Sequence, residues 1–225
     1  MKNRKQLKLT AIIAMFCIII GFIACYNDNK RTTKLLYQGH ASFRLIAKNG
    51  TVIYIDPAYG EGYDLPADII LVTHGHNDHN KVNLVTQKKG CTVITNDEAQ
   101  KGNKYNRFNI KGIKIESVEA YNGSHHRSIG VGYIITIDGI KLYHSGDTGK
   151  TDQMETFPER KIDYVLLYCD SVPETAAEWA KIIDGKTNIP IHTRYPLIFD
   201  RNVAERFNAP NRIILEPKEE LILTH

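Results

Sequence analysis

A chain of 225 residues, 42% hydrophobic and 24% charged, has ordinary globular composition and enough length for one substantial core. Its formal net charge of +4 does not belong to the body: Lys2, Arg4, Lys5 and Lys8 carry four of the 29 basic residues, and the rest are balanced by 25 acidic ones. A balanced body lacks the clustered lysine and arginine that a phosphate backbone demands, so nucleic acid is not an expected partner.

The chain opens with a basic stretch, Met1 to Lys8, followed by the uncharged apolar run Leu9 to Ala24, then Cys25 and a polar stretch. That order marks a targeting or anchoring segment. At about 1.5 Å per residue the run spans roughly 24 Å as a helix, short of the ~30 Å hydrocarbon core, which favours a signal peptide over a spanning helix. Phe22-Ile23-Ala24-Cys25 resembles the lipobox of bacterial lipoproteins, in which the cysteine is lipidated. A lipoprotein anchored to the membrane through Cys25, an uncleaved helical anchor and a secreted protein all stay open, and each places the body outside the cytoplasm. Residues 1–33 are therefore assigned to anchor and tether, and residues 34–225 to one domain.

In that domain KLLYQ, ASFRLIA and TVIYID predict antiparallel strands, with a turn at Lys48-Asn49-Gly50. Asp68-Ile-Ile-Leu-Val-Thr73 predicts a strand buried on both faces, ending directly in His74. Asn80 to Lys89 has a helix-like spacing of Val82, Leu84 and Val85, and CTVIT returns as a strand. IKIESVEAY, VGYIITI and IKLYHS give a second set of strands, the last two joined by the hairpin signal Asp138-Gly139. Ile162 to Tyr168 is a further buried strand, Ser171-Val-Pro-Glu174 has the spacing of a capping box before the helix TAAEWAKII, and NIPIH, RIILEP and ELILTH complete a β-rich end. Two strand-rich halves that each carry helices predict an α/β fold of two sheets packed face to face, helices outside. Cys91 and Cys169 lie beside β-rich apolar runs, where a buried free thiol is commoner than a disulfide.

The densest chemical signal is Thr73-His74-Gly75-His76-Asn77-Asp78-His79, three histidines and an aspartate at the mouth of a buried strand. Imidazoles and a carboxylate in one loop suit zinc and related divalent ions. A histidine-rich surface loop is the bland alternative.

The HxHxDH pattern of His74, His76, Asp78 and His79 resembles the metallo-β-lactamase superfamily. So do, in family order, Ile55-Asp56-Pro57, Ala120-Tyr121-Asn122 with His125 and Gly132-Tyr133, Tyr143-His144-Ser145-Gly146-Asp147-Thr148, and Ile189-Pro190-Ile191-His192. The resemblance implies an αββα sandwich of two mainly antiparallel sheets and two divalent metal ions, zinc or manganese. It implies His74, His76 and His125 on one ion, Asp78, His79 and His192 on the other, Asp147 bridging, with Asp78 and His79 also counted as catalytic. Such a pair would share a hydroxide that attacks a small-molecule substrate without a covalent intermediate. His126 competes with His125 for the third position. Asp56 is expected to support a ligand, and His144 to turn away from the site. His40, in Gly39-His40-Ala41-Ser42-Phe43, is either a satisfied histidine at a strand end or a substrate contact, and Arg194 either an exposed loop residue or a clamp for an anionic substrate.

GHASF, AYN…H, GYxI and YHSGDT are most similar to the branch holding ascorbate-6-phosphate lactonase and N-acyl-phosphatidylethanolamine phospholipase D. The chain departs from that branch at His192-Thr193-Arg194-Tyr195, where a tyrosine usually follows the histidine directly, and at Cys169-Asp170-Ser171-Val172-Pro173. Three functions follow: hydrolysis of an ester, lactone or phosphodiester; an exported β-lactamase; and a non-catalytic metal-binding lipoprotein.

Overall fold

The computed structural model describes residues 31–225, and the expectations placed on the apolar run and on Cys25 lie outside the described residues. No helix among the described residues is long and apolar enough to cross a membrane.

β1 (Thr33–Gly39), β2 (Ser42–Ile46) and β3 (Val52–Ile55) form an antiparallel meander. Ile53 and Ile55 enter the central core while Val52 and Tyr54 join an outer cluster, the period of two that a pleated strand imposes. β4 (Ala67–Leu71) and β5 (Gln87–Ile94) add in parallel. After the short helix α1 (Asn96–Ala99) come the two-residue strands β6 (Gln100–Lys101) and β7 (Lys104–Tyr105), then the antiparallel run β8 (Arg107–Ile110), β9 (Ile113–Glu119), β10 (Val131–Ile137) and β11 (Ile140–His144). β12 (Tyr164–Tyr168) joins β11 in parallel, the helix α2 (Pro173–Ile183) crosses over it, and β13 (Thr187–Ile191) joins β12 in parallel. The helix α3 (Arg201–Arg206) precedes β14 (Glu220–Leu223), which returns to pair antiparallel with β1.

The result is two six-stranded sheets, ordered β14-β1-β2-β3-β4-β5 and β13-β12-β11-β10-β9-β8. This is the expected mixed α/β sandwich. The inner faces share one cluster, with Phe43, Ile55 and Leu71 from the first sheet and Ile115, Tyr133, Leu142 and Leu166 from the second. Each such side chain is worth roughly 1.5–3 kcal/mol on burial. The outer face of the second sheet packs Val165 and Leu167 against Ala176, Ala177, Ala180 and Ile183 of α2. Cys91 and Cys169 are free thiols.

Three local expectations are corrected. Asn80 to Lys89 forms no α-helix: a single 3-10 turn, Val82–Leu84, gives way to β5 at Gln87. Three apolar residues bunched within four positions make no helical stripe, and Val82, Val85 and Thr86 are β-branched. The capping box at Ser171 is not made either. The Ser171 hydroxyl turns to Asp170, Pro173 takes the first helical position and Val172 stands at the cap without a side-chain bond. The chain does carry a formed capping box elsewhere, between Thr95 and Glu98 at the start of α1. Finally, RIILEP supplies only an isolated bridge from Arg212 to Asn188 rather than a strand.

Candidate metal centre

The sequence-predicted ligands meet at one end of the sandwich, on loops that leave the C-terminal ends of β1, β4, β11 and β13 and on the β9–β10 loop. Val72 and Thr73 carry the chain from β4 to His74, and the two sheets are tied together at that point. The Tyr133 hydroxyl of β10 donates to Val72 O at 2.9 Å, Val131 N donates to Thr73 O at 2.9 Å, and His74 bridges to Gly130. Gly146 sits at φ +59°, where a Cβ would lie 2.8 Å from Val131 O and 3.0 Å from the Thr73 Cβ, so only glycine lets Asp147 come this close to the histidine loop. His40, Asp56 and His192 all hold left-handed backbone, at φ 57°, 46° and 48°. Non-glycine residues avoid that region unless their surroundings enforce it, and here three of them surround one site.

The outer set is His74, His76 and His125. His74 Nε2 lies 3.1 Å from His76 Nδ1, which lies 3.2 Å from His125 Nε2. The far nitrogens of two rings are anchored: His74 Nδ1 donates to the Thr73 hydroxyl at 3.1 Å and His125 Nδ1 to Asn122 Oδ1 at 2.9 Å. Each anchor leaves the Nε2 lone pair aimed inward. Asn122 Oδ1 also accepts the backbone N–H groups of Ser124 and His125, a role the sequence did not reveal. His125 is the ring that enters the centre, whereas His126 is exposed and turns to Ser128.

The inner set is deeper. His79 is fully buried, and its Nδ1 donates to Asp56 Oδ2 at 2.8 Å. Asp56 accepts that bond and those of the Thr73 N–H and hydroxyl, both at 2.7 Å, so it holds the candidate ligands in place and is not among the groups that could hold a metal. His192 Nε2 lies 3.6 Å from Asp78 Oδ2 and 3.3 Å from Asp147 Oδ2. Asp147 stands between the two sets: its Oδ2 is 3.9 Å from His74 Nε2 and 3.7 Å from His125 Nε2, and its Oδ1 is 3.3 Å from His79 Nε2.

Charge is arranged to draw a cation into this space. Burial pushes the His74 imidazole down to about 3, which keeps its lone pair free. For His192 burial acts in the same direction but is outweighed by Asp147 and Asp78, which raise it to about 9. His79 is raised well above its ordinary value by Asp147 and Asp56, again against burial. Burial alone would raise Asp147, yet His79 and His192 hold it well below the usual carboxylate range. Among the buried atoms without a hydrogen-bond partner are His79 Nε2, His192 Nε2 and Asp147 Oδ1. An unpartnered buried polar atom costs about 1–3 kcal/mol, so three of them at one point fit a group that binds them all. Divalent cations fit that donor set of imidazole nitrogen and carboxylate oxygen.

A cleft of about 390 Å³ opens onto the centre, lined by His76, Asn77, Asp78, His125, Asp147, Tyr168, Asp170, His192 and Tyr195. Tyr168, Asp170 and Tyr195 were not singled out from sequence as site residues, although two of the loops that bring them were recognised as departures from the branch pattern. Asp170 Oδ2 accepts the Tyr195 N–H at 3.2 Å, which joins those loops. Arg194 is not part of the lining; its side chain is 61% exposed and reaches Asp200 at 3.3 Å. His40 is completely buried, which leaves it no surface for direct substrate contact. His144 faces inward between the sheets, its ring nitrogens bonded to Ala41 O and Gly146 N.

Residues 34–192 match the family model described as a beta-lactamase superfamily domain. A UPF0173 metal-dependent hydrolase of Thermococcus kodakarensis is 30% identical over 227 residues, covering 84% of this chain and 99% of that protein. Another, from Nitratidesulfovibrio vulgaris, is 31% identical over 193 residues, covering 71% of this chain and 80% of its own. Among solved structures, a metallo hydrolase from the hyperthermophilic archaeon Ignicoccus hospitalis superposes with a TM-score of 0.68 at 22% identity, over 86% of this chain and 99% of that one, a likeness of fold.

Proposed function

The chain belongs to the metallo-β-lactamase superfamily as one of its UPF0173 metal-dependent hydrolases, and from that premise we propose that it cleaves an ester, lactone or phosphodiester bond with two divalent cations, zinc or manganese. His74, His76 and His125 would hold one, Asp78, His79 and His192 the other, with Asp147 shared. The observation that carries the reading is the place of Asp147, whose two oxygens face His79 and His192 at 3.3 Å on one side and His74 and His125 at 3.9 and 3.7 Å on the other. Bound there, the two ions supply a nucleophilic water at neutral pH and offset the negative charge that develops on the attacked centre.

The chain's own residues position and select. Thr73, Asp56 and Asn122 fix ring orientation, so that no reorganisation is needed as the reaction proceeds. Asp78 stays ionised: burial would raise it, but the imidazoles beside it, His192 first, pull it far below the ordinary range, and its carboxylate lines the cleft as a hydrogen-bond acceptor. Tyr168 and Tyr195 provide aromatic walls. No lysine or arginine is among the described residues lining the cleft. A substrate with a further carboxylate or phosphate away from the metals would lie near Asp170 with no counter-charge, which favours neutral esters and lactones over β-lactams.

The test is a screen of the full chain, stripped of metal and reloaded with zinc or manganese, on esters, lactones, phosphodiesters and nitrocefin. Turnover of one of the first three classes, abolished in His76→Ala and Asp147→Ala, is expected. Equal turnover by metal-free protein would reject the reading. Turnover of nitrocefin alone would make the protein a β-lactamase, and metal binding without turnover would make it a binding protein. The N-terminal segment carries a separate part of the proposal: basic residues, an apolar run and Cys25 in that order support export and lipidation. Labelling with a palmitate analogue should mark the wild type and not Cys25→Ala, and equal labelling would reject lipidation there.

A further inference from the structure

His40 is absent from the ligand set above, yet its ring lies within it. The side chain is fully buried, and its backbone N–H and carbonyl are bonded to Ile198 O at 2.6 Å and His192 N at 2.7 Å. Nδ1 lies 3.1 Å from Leu197 O. A carbonyl offers only lone pairs, so Nδ1 carries the hydrogen and Nε2 is the free end. That end points at Asp78 Oδ2 from 3.3 Å, and the ring packs 3.6 Å, centroid to centroid, from His192. Asp78 Oδ2 is thus faced by three imidazole nitrogens: His40 Nε2 at 3.3 Å, His192 Nε2 at 3.6 Å and His79 Nε2 at 3.9 Å. A carboxylate oxygen has two lone pairs and cannot satisfy three ring nitrogens as hydrogen-bond donors. One cation among them satisfies all four atoms, and the ligand atoms of His40, Asp78, His79 and His192 do lie within 4.8 Å of one another.

We infer that His40 is a further ligand, through Nε2, of the ion held by Asp78, His79 and His192. The inference rests on the two-cation reading. With Asp147 shared, the inner ion then has three imidazole nitrogens and two carboxylates, more protein donors than the outer ion. A set that rich in imidazole suits zinc, iron or nickel better than magnesium or calcium. The left-handed backbone of His40 acquires a purpose as well, since it aims the ring at the ion while the same peptide carbonyl holds His192. A hydrogen-bonding role for His40 would instead require a proton on Nε2, a positive charge that a neighbouring dication would repel.

The experiment is nitrogen-15 NMR of the full chain, labelled at histidine and loaded with cadmium-113. Scalar coupling to cadmium is expected at the Nε2 of His40 as well as at one ring nitrogen each of His74, His76, His79, His125 and His192. In His40→Gln only the His40 signal should vanish, and affinity for the more tightly held cadmium should fall about 10–100-fold in a chelator competition. Because the wild-type coupling is read directly, the result does not depend on how that variant folds. Coupling at the other five histidines with a protonated, uncoupled His40 Nε2 would overturn the inference and leave the two-cation reading standing. No cadmium coupling at any histidine would remove both.

Discussion

The two halves of the proposed metal centre are built differently. In the inner half His79 and His192 are buried beside a half-buried Asp78, and the set is locked by Asp56 and by strained backbone at His40 and His192. The outer half depends on loops: His76 is exposed on the cleft and His125 is held through Asn122, itself a loop residue. A ligand set anchored in a core should keep its geometry and its ion, whereas one anchored in loops should exchange its ion and admit substrate. The difference teaches where water and substrate approach, namely over His76 and away from His79.

Asp147→Ala should break the comparison altogether, since it removes the one group common to both halves. Loss of several kcal/mol of transition-state stabilisation corresponds to on the order of a thousandfold fall in kcat, with both ions weakened in elemental analysis. Asp56→Asn should strike the inner half harder. The amide cannot repeat three accepted hydrogen bonds, so affinity for the inner ion, reached directly through His79, should drop about 10–100-fold while the outer ion, reached only through Thr73 and His74, loses less, as read by chelator titration. Asn122→Ala should do the reverse, loosening His125 and weakening the outer ion by about tenfold with little change in the inner one. If both variants lost the same ion, the division into halves would be wrong.

The smallest effect belongs to a control in neither half. Asp68 lies at the end of β4 remote from His74, paired with Lys88 at 2.6 Å and with Lys111. Burial would raise this carboxyl, but Lys111, Lys88 and the Val52 N–H lower it to about 2. A depressed folded-state value stabilises the protein fully above the ordinary carboxylate value near 3.9, and that stability is lost as pH falls through about 2. Both lysines are partly exposed, so screening leaves roughly 1 kcal/mol. Asp68→Asn should flatten the acid side of a melting curve against pH by that amount and leave metal binding unchanged.

Much of this cluster could be singled out in the sequence because the residues that gather at the cleft travel in short motifs with fixed strand-end positions. His74 to His79 are contiguous, and Asp147 and His192 each follow a buried strand that declares itself by apolar alternation. The sandwich was legible for the same reason. The cleft wall was less so: Tyr168 and Asp170 at the end of β12 meet Tyr195 of the loop after β13 through the Asp170–Tyr195 hydrogen bond, and nothing in their spacing announces it. His40 stood in a recognisable segment, but its direction depends on a left-handed φ that a histidine code does not disclose. Asn80 to Lys89 misled because Val85 is its one buried residue, too little for a helical face, and the segment's end pairs with β4 through Gln87 opposite Ala67.

Metal stoichiometry set beside turnover tests the central claim most directly. Metal-free full-length protein would be titrated with zinc while bound metal and hydrolysis are followed together, for the wild type and for Asp147→Ala. Two equivalents bound in sequence, with turnover rising alongside the second and absent from the variant, is the expected result. Full turnover with no metal bound, or two ions bound as tightly by the variant as by the wild type, would contradict a centre in which Asp147 joins two working cations.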